Sequence, residues 1–452
     1  MFQKIMNLTA IVRRFAFTGL ILASVHICPA PSASAALLRD ADIEQQLSDL
    51  AAPLLAAANL ELDFVRVLLV NDRSANAFVI DHRAIYINSG LIEKMTTPEM
   101  LQAVIAHEAA HIANGHIARR TGNLRNSQTL GALGIALAIA TGAFSSPEVA
   151  GGLALAISNS TWRGFLKHTR AEEAAADQAA ANYMRRAGVS PRGLVQIHRL
   201  FRGQEALNES RQDPYVRSHP LSRDRIRAAE AFLAQYGDTG EPDPDVMYSF
   251  ARLKGKLSAF VRNPEWTLQR ANEEENIDIR AMRTAIAYHR QSQTDAALRA
   301  IDQAISARHG QDGLYFDLKG QLLLESRRFP QALSAYQKAH QLEPDSPQIM
   351  GGLGQAQLAV GEFQSAVATL EEARELDRTH TRILRDLGQA YAKVGRIGEA
   401  SLVTAERYAL TGQLRDADVQ ARRAMDLLPK GSTGWRRAQD VHLTISNNLK
   451  RQ

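Results

Sequence analysis

The sequence predicts two regions of different architecture: a mostly helical α+β region with a small sheet, and then an all-α solenoid. Three observations support this prediction. Segments that alternate apolar and polar residues lie between residues 63 and 88, the pattern of half-buried strands. A helix-forming segment without Pro or Gly follows Pro98 and holds two histidines four positions apart. Beyond residue 280, small and aromatic residues recur with a period of about 34 residues.

Residues 1–35 have the composition of a cleavable signal peptide. Lys4, Arg13 and Arg14 form a basic start, residues 15–27 are apolar, and Ala33-Ser34-Ala35 is an A-x-A cleavage site. Without these three bases the net charge falls from +5 to about +2, so we infer no nucleic-acid partner. The only cysteine of the chain lies in this segment, which excludes cysteine catalysis and cysteine-bound metal and fits the bacterial periplasm.

Residues 36–236 are predicted to form the first domain. Its elements begin with a helix over residues 40–58 and a strand over residues 63–70. Short strands over residues 77–80 and 84–88 complete a small sheet. We expect this sheet to lie beside the helix that carries the two histidines.

The histidine pair belongs to the pattern HExxH, formed by His107, Glu108 and His111. Residues i and i+4 share a helix face, so both imidazoles can reach one metal ion. Glu108 follows the first histidine and is placed to activate a water molecule at that metal. The isolated pattern also arises by chance on solvated helices, so the rest of the chain must decide between the two interpretations.

A catalytic zinc site takes three protein ligands and keeps one position open. His116 is one residue out of register for a third histidine and lies half a turn from His107 on a continuing helix, which favours an ordinary polar helix residue. Glu173 and Asp177 are i and i+4 on another helix-forming segment, so one carboxylate can bind the metal and the other can orient a ligating histidine. The alternative is that Glu172, Glu173 and Asp177 form a solvated face with nearby arginines.

Four motifs in one order resemble the gluzincin family that contains HtpX, the CAAX prenyl proteases and the OMA-type proteases. The motifs are Asn76-Ala77-Phe78 followed by residues 85–91, the HExxH pattern at residues 107–111, Glu173-Ala174-Ala175-Ala176-Asp177, and Ser218-His219-Pro220-Leu221 followed by Arg225-Ile226. The resemblance spans roughly residues 63–226.

The resemblance implies a zincin-like protease fold and the cleavage of peptide bonds. It implies that His107, His111 and Glu173 bind one Zn²⁺ per chain. Glu108 would be the general base and then the proton donor, and Asp177 would support a ligating histidine.

The resemblance also assigns roles around the metal. His219 would lie near it and occupy the open position in a resting form, and Arg225 would support the site or the oxyanion. Asn76, Ala77 and Phe78 would form an edge strand that pairs with extended substrate. The alternatives are a turn residue before a proline for His219, and ordinary sheet core for the strand.

Two stretches between the metal motifs are strongly apolar, residues 130–144 and 151–157. Each is too short to span a bilayer. Two interpretations stay open: hydrophobic helices that cover the cleft or contact a membrane surface, and a buried helical hairpin. Residues 237–279 are predicted to form a linker and a connecting helix.

Residues 280–452 are predicted to form a tetratricopeptide (TPR) repeat domain of about four repeats. Gly320, Ala332, Tyr336 and Ala339 occupy the small and aromatic positions of one repeat, and comparable residues recur 34 positions later, beginning at Gly354. Such a solenoid presents a surface for partners. The alternative is that the repeats only brace the first domain.

The combination of a signal peptide, this protease type and C-terminal repeats resembles the BepA-like periplasmic proteases. The resemblance implies a role in outer-membrane protein quality control, with protein substrates and an outer-membrane assembly machinery as partners. One rival function is a chaperone or assembly factor whose protease site is kept latent by His219. A second is a scaffold with a dead site, which predicts no bound zinc.

Overall fold

The computed structural model describes residues 36–62, 64–119 and 168–449. The predicted signal peptide and the two apolar stretches between residues 130 and 157 lie outside this part of the chain. Within the described residues, no helix has both the length and the apolar character needed to cross a membrane.

The sheet has four strands in the order β1–β2–β4–β3. The strands are β1 (Ala36–Leu38), β2 (Arg66–Asn71), β3 (Ala77–Val79) and β4 (Ala84–Asn88). β2 and β4 are parallel, while β1 and β3 pair antiparallel with them as the two edges. β4 is buried along its whole length, as a central strand covered on both faces should be. The predicted sheet is confirmed, and β1 is an edge strand that the pattern did not reveal.

Seven α-helices whose bounds lie wholly within the described residues accompany the sheet. They are α1 (Ala41–Ala57), α2 (Ser89–Lys94), α3 (Pro98–Ala113), α4 (Arg170–Arg186), α5 (Arg192–Leu200), α6 (Pro214–Ser218) and α7 (Arg223–Tyr236). Every residue of α3 from Pro98 to His111 is buried, because α1, α4 and α5 pack around it. A helix buried on all sides needs no single amphipathic stripe, so the apolar residues of α3 are spread around its circumference.

Helix α8 (Pro244–Val261) joins the two regions through packing. Its residues Phe250, Leu253 and Leu257 belong to the core that contains the sheet, while Ala259 belongs to the next core. The short helix α9 (Pro264–Gln269) follows. The residues predicted as a linker and a connecting helix therefore contain a helix that belongs to both cores.

Ten helices follow in the described chain and form five successive antiparallel pairs. They are α10 (Ile277–Arg290), α11 (Thr294–Ala307), α12 (Gly313–Glu325), α13 (Phe329–Leu342), α14 (Pro347–Val360), α15 (Phe363–Leu376), α16 (Thr381–Lys393), α17 (Ile397–Leu410), α18 (Leu414–Leu427) and α19 (Thr433–Leu449). A Cβ atom at Gly320 would lie 2.8 Å from the Tyr336 ring, and one at Gly354 would lie 2.4 Å from Leu370. The recurring small residues therefore mark close helix contacts, and the solenoid prediction is confirmed.

The start of the first region lies against α12, α13 and α14 and against the residue that follows α15. Arg39 Nη2 is 2.7 Å from Asp377 Oδ2, and Gln348 donates a hydrogen bond of 2.7 Å to Glu44. Ala41 packs in a small apolar cluster with residues of α12, α13 and α14. Residues 35–452 form one compact unit. On this face of the solenoid, the repeats brace the first region.

Candidate metal centre

Helix α3 places three side chains of the HExxH pattern in the interior. His107 is 2% exposed, and Glu108 and His111 are fully buried. Helix α5 approaches the start of α3 closely, because a Cβ atom at Gly193 would lie 2.0 Å from the Glu99 carbonyl oxygen. Glu99 also forms an ion pair with Arg192 of α5. These contacts fix the helix that carries the histidines.

Helix α4 begins with a capping box that uses one of its acidic residues, Glu172, as a cap. The Thr169 hydroxyl accepts a hydrogen bond from the Glu172 amide, and the Glu172 carboxylate accepts one from the Thr169 amide. With Glu172 held at the helix start, Glu173 and Asp177 face inwards and are buried. The alternative of a solvated acidic face is therefore wrong for Glu173 and Asp177.

Four side chains bring possible metal-ligand atoms within 4.8 Å of one another: His107, His111, Glu173 and His219. The two histidines of α3 approach through Nε2, with 3.1 Å between the two nitrogen atoms. The Glu173 carboxylate oxygens lie 3.4 Å from His107 Nε2 and 3.3 Å from His111 Nε2. The structure thus brings together the three residues that the sequence proposed as ligands.

This donor set fits a divalent metal such as zinc. Ligand bonds of about 2.0–2.1 Å in a tetrahedral site place neighbouring donor atoms roughly 3.3–3.4 Å apart. The separations between the imidazole nitrogens and the carboxylate of Glu173 are close to these values. Two imidazoles and one carboxylate are also a donor set that catalytic zinc takes.

Asp177 and Arg225 support these side chains from behind. His107 Nδ1 donates to Asp177 Oδ1 over 3.0 Å, which leaves Nε2 turned towards the cluster. Arg225 is buried and donates to both Asp177 oxygens over 2.6 and 2.8 Å. Its Nη1 lies 2.7 Å from Glu173 Oε2. Arg225 therefore contacts the two carboxylates of α4.

Burial and charge act in opposite directions on the titration of this cluster. Burial raises the pKa of Glu173, but His219, Arg225 and His107 outweigh it and hold that pKa well below its usual value. Burial lowers the pKa of His107, yet the Glu173 and Asp177 carboxylates raise it to about 10. Burial lowers the pKa of His111 far below its usual value. Since a metal binds neutral imidazole, metal binding displaces a proton from the ligating nitrogen of any ring that is protonated at both nitrogens.

His219 follows α6 and turns its ring into the cluster. Its Nε2 donates to the carbonyl oxygen of Ala77 over 3.2 Å. Its Nδ1 lies 3.1 Å from Glu173 Oε1 and 3.4 Å from His107 Nε2. His219 Nε2 also lies 3.3 Å from Glu108 Oε1. His219 can therefore offer Nδ1 to the same metal.

The strand proposed to bind substrate lies at the edge of the sheet. β3 pairs only with β4 among the described strands, with Phe78 opposite Tyr86. The Phe78 and Tyr86 rings stack with 5.3 Å between their centroids. Asn76 precedes the strand, and its carbonyl oxygen accepts a hydrogen bond from the amide of Asn88. Ala77, whose carbonyl oxygen contacts His219, lies between Asn76 and Phe78.

Two histidines lie beside His111: sequence reasoning interpreted His116 as an ordinary polar helix residue and missed His168. His116 is buried, and its Nδ1 lies 2.8 Å from His111 Nδ1. The expectation of an ordinary polar helix residue assumed a continuous helix, but α3 ends at Ala113 and Gly115 has a φ of +67°. The ring of His168 lies against that of His111, with 3.6 Å between centroids. The turn at Gly115, read as a helix stop, is the signal that could have placed His116.

Comparison with known families and proteins agrees with this geometry. Residues 37–233 match the model of Peptidase family M48. The chain carries an M48 peptidase domain. Residues 282–347 and 352–408 match one tetratricopeptide repeat model, and residues 323–377 match a second. The family resemblance and the repeat assignment made from sequence motifs are thus confirmed.

Several curated proteins are similar to this chain. The beta-barrel assembly-enhancing protease of Escherichia coli K12 is 26% identical over 73% of this chain and 68% of its own length. The match to a Vibrio cholerae relative covers 48% of this chain and 44% of that protein. The metalloprotease LoiP of E. coli K12 is 31% identical over 34% of this chain and 57% of its own. The M48 domain and these relatives support a metalloendopeptidase.

A solved structure of MamA aligns with 37% of this chain and 94% of its own, with 18% identity and a TM-score of 0.29. A likeness at that level carries no argument, so the repeat assignment depends on the family models and on the helical pairs themselves.

Proposed function

We propose that this protein is a zinc-dependent endopeptidase of the bacterial periplasm that cleaves misfolded or stalled outer-membrane proteins. The observation that carries the proposal is the convergence of His107, His111 and Glu173 beside the buried carboxylate of Glu108. Relatives named for enhancing β-barrel assembly support the substrate class. The basic and apolar start of the sequence supports the compartment.

His107, His111 and Glu173 would hold the zinc ion, which when bound makes water more acidic and polarises the scissile carbonyl. Glu108 takes the proton of the attacking water and passes it to the leaving amine. Its position next to His107 on α3 and its complete burial place that carboxylate at the ligand cluster and away from bulk solvent. Asp177 keeps His107 in the tautomer that turns Nε2 inwards.

Extended substrate would pair with the edge strand at Asn76, Ala77 and Phe78. In the arrangement described here, His219 donates to the Ala77 carbonyl and turns Nδ1 to the cluster. We therefore assign this arrangement to a resting form, which opens when His219 moves from both positions. Arg225 stays with the α4 carboxylates in either form.

The repeats would recruit protein substrates or an outer-membrane assembly machinery. The face that contacts Arg39 and Glu44 is already occupied by the first region, so recruitment uses the remaining surfaces of the solenoid. Contact with a membrane surface would involve the apolar residues 130–157, which lie outside the described chain. The comparisons do not favour the rival function of a chaperone with a latent protease site.

The test is cleavage of an unfolded β-barrel protein by the purified parent and by two matched variants. Glu108→Gln removes the general base and should abolish cleavage while zinc remains bound. Glu172→Gln changes a carboxylate of the α4 capping box, and glutamine also serves in that motif, so cleavage should persist. A chelator should stop the parent, and added zinc should restore it.

Two outcomes would contradict the proposal. Cleavage by Glu108→Gln at the parental rate would show that the activity does not use this site. Absence of cleavage in the parent and in His219→Ala, with zinc present in both, would show that the zinc site does not hydrolyse this substrate. Cleavage that rises in His219→Ala would support the resting form.

A further inference from the structure

His111 turns a defined ring nitrogen to the cluster. Its Nε2 lies 3.1 Å from His107 Nε2 and 3.3 Å from Glu173 Oε1, whereas its Nδ1 points to the opposite side. A neutral imidazole that ligates through Nε2 carries its proton on Nδ1. Because His111 is fully buried, that N–H group needs a protein acceptor.

Among the described residues, another histidine lies within hydrogen-bond reach of this N–H group. His116 Nδ1 lies 2.8 Å from His111 Nδ1, which is hydrogen-bond distance. If His111 donates, then His116 accepts at Nδ1 and carries its own proton on Nε2. His116 is 3% exposed, so this contact lies away from bulk solvent.

The backbone turn after α3 places His116 beside His111 Nδ1. Helix α3 ends at Ala113, and the left-handed conformation of Gly115 turns the backbone before His116. The ring of His168 covers one side of His111, at a centroid separation of 3.6 Å. The His168 amide donates to Ser218, so the same segment is tied to the residue that precedes His219.

We propose that His116 is a positioning residue that holds His111 in the tautomer and orientation presenting Nε2 to the metal. It does for His111 what Asp177 does for His107, but with a neutral acceptor in place of a carboxylate. The pair thus orients a ligand without adding negative charge to a cluster that already contains three buried carboxylates. This inference rests on the proposed zinc site and adds a residue that acts through a ligand.

The test measures zinc affinity, which does not require turnover. Metal-free full chains, all carrying Glu108→Gln to prevent self-cleavage, compete with a chromophoric chelator for zinc at fixed pH. His116→Leu should raise the zinc Kd by about 10–100-fold, as loss of a ligand-orienting partner does. His116→Asn should stay within about threefold of the parent, because the asparagine Oδ1, like histidine Nδ1, lies one bond beyond Cγ and can accept the bond.

A second comparison guards against unfolding. His116→Gln keeps a polar amide but places it one bond further from the backbone, so its Kd should rise relative to His116→Asn. Asn114→Ala, in the same turn, should match the parent. Thermal unfolding of each metal-free chain reports folding independently.

The results separate this inference from the proposed function. A parent that binds one zinc ion, with His116→Leu and His116→Gln at the parental Kd, would overturn the role of His116 alone. A second zinc equivalent that only His116 variants lose would make His116 a ligand and would also overturn its positioning role. A parent that binds no zinc would overturn both the inference and the proposed function.

Discussion

Replacing Arg225 by methionine should destabilise the N-terminal region by about 3–5 kcal/mol. Arg225 is 5% exposed and contacts both carboxylates of α4, at 2.6 and 2.8 Å for Asp177 and 2.7 Å for Glu173. Methionine replaces the apolar stem of the arginine but leaves two buried carboxylates without this cation. Removing one member of a buried ion pair strands its partner, which is the origin of the large cost.

Hydrogen exchange read by mass spectrometry measures this cost locally. Each 1.4 kcal/mol changes an opening equilibrium tenfold, so protected amides in α4 and α7 should exchange about 10²–10⁴-fold faster. Amides in α16 and α17 of the repeats serve as the internal reference. A control is Arg199→Met, because the ion pair of Arg199 with Glu230 is 62% and 46% exposed and should contribute little.

A double variant tests the physical reason. If the cost comes from stranded carboxylates, adding Asp177→Asn to Arg225→Met should cost less than the sum of the two single changes, with a coupling of about 1–3 kcal/mol. Exchange in α4 that rises no more in Arg225→Met than in Arg199→Met would refute the reasoning. So would strictly additive effects in the double variant.

Three further predictions concern the contacts that hold the molecule together. Asp377→Asn removes the buried carboxylate that Arg39 contacts, so it should lower the urea midpoint and the free energy of unfolding, the latter by about 3 kcal/mol. The control Asp295→Asn changes an exposed ion pair and should leave the midpoint unchanged. Burial and the nearby charge of Arg39 lower the pKa of His380 to about 4, below its unfolded value of about 6.5. Its stabilising contribution is therefore present above pH 6.5 and lost as the pH falls towards 4, and thermal unfolding should show that His380→Asn lacks this part of the acid sensitivity. Burial raises the pKa values of Asp317 and Glu406 to about 7, so these two groups increase the stability as the pH falls. Both are present in the parent and in His380→Asn, so their effect cancels when the two proteins are compared. Gly193→Ala should force α5 away from Glu99 and lower the melting temperature. Gly388→Ala, where the nearest atom to the added Cβ would be 3.3 Å away, should lower the melting temperature less. Equal melting temperatures for the two variants would contradict the close helix contact.

Local patterns were sufficient to predict the elements that depend on a regular spacing of residues along the chain. The i, i+4 spacing of His107 and His111 predicted a shared helix face, and the 34-residue recurrence of Gly320 and Gly354 predicted paired helices. Both depend on short-range geometry that a single sequence contains.

Other features depended on tertiary contacts that local patterns do not contain. The edge strand β1 has three residues and forms by pairing with β2. The position of His116 depended on where α3 stops, and a one-residue change in a helix end redirects every side chain after it. The ion pair of Arg39 with Asp377 joins residues far apart in the chain, so no pattern along the sequence could have indicated it.

The most direct measurement for the central claim is the zinc anomalous signal in crystals of the purified protein. We predict one strong peak bonded to His107 Nε2, His111 Nε2 and a Glu173 carboxylate oxygen, with His116 within hydrogen-bond distance of His111 Nδ1. The absence of a peak at these residues in zinc-loaded crystals, or a peak bonded to His116 and His168 in their place, would contradict it.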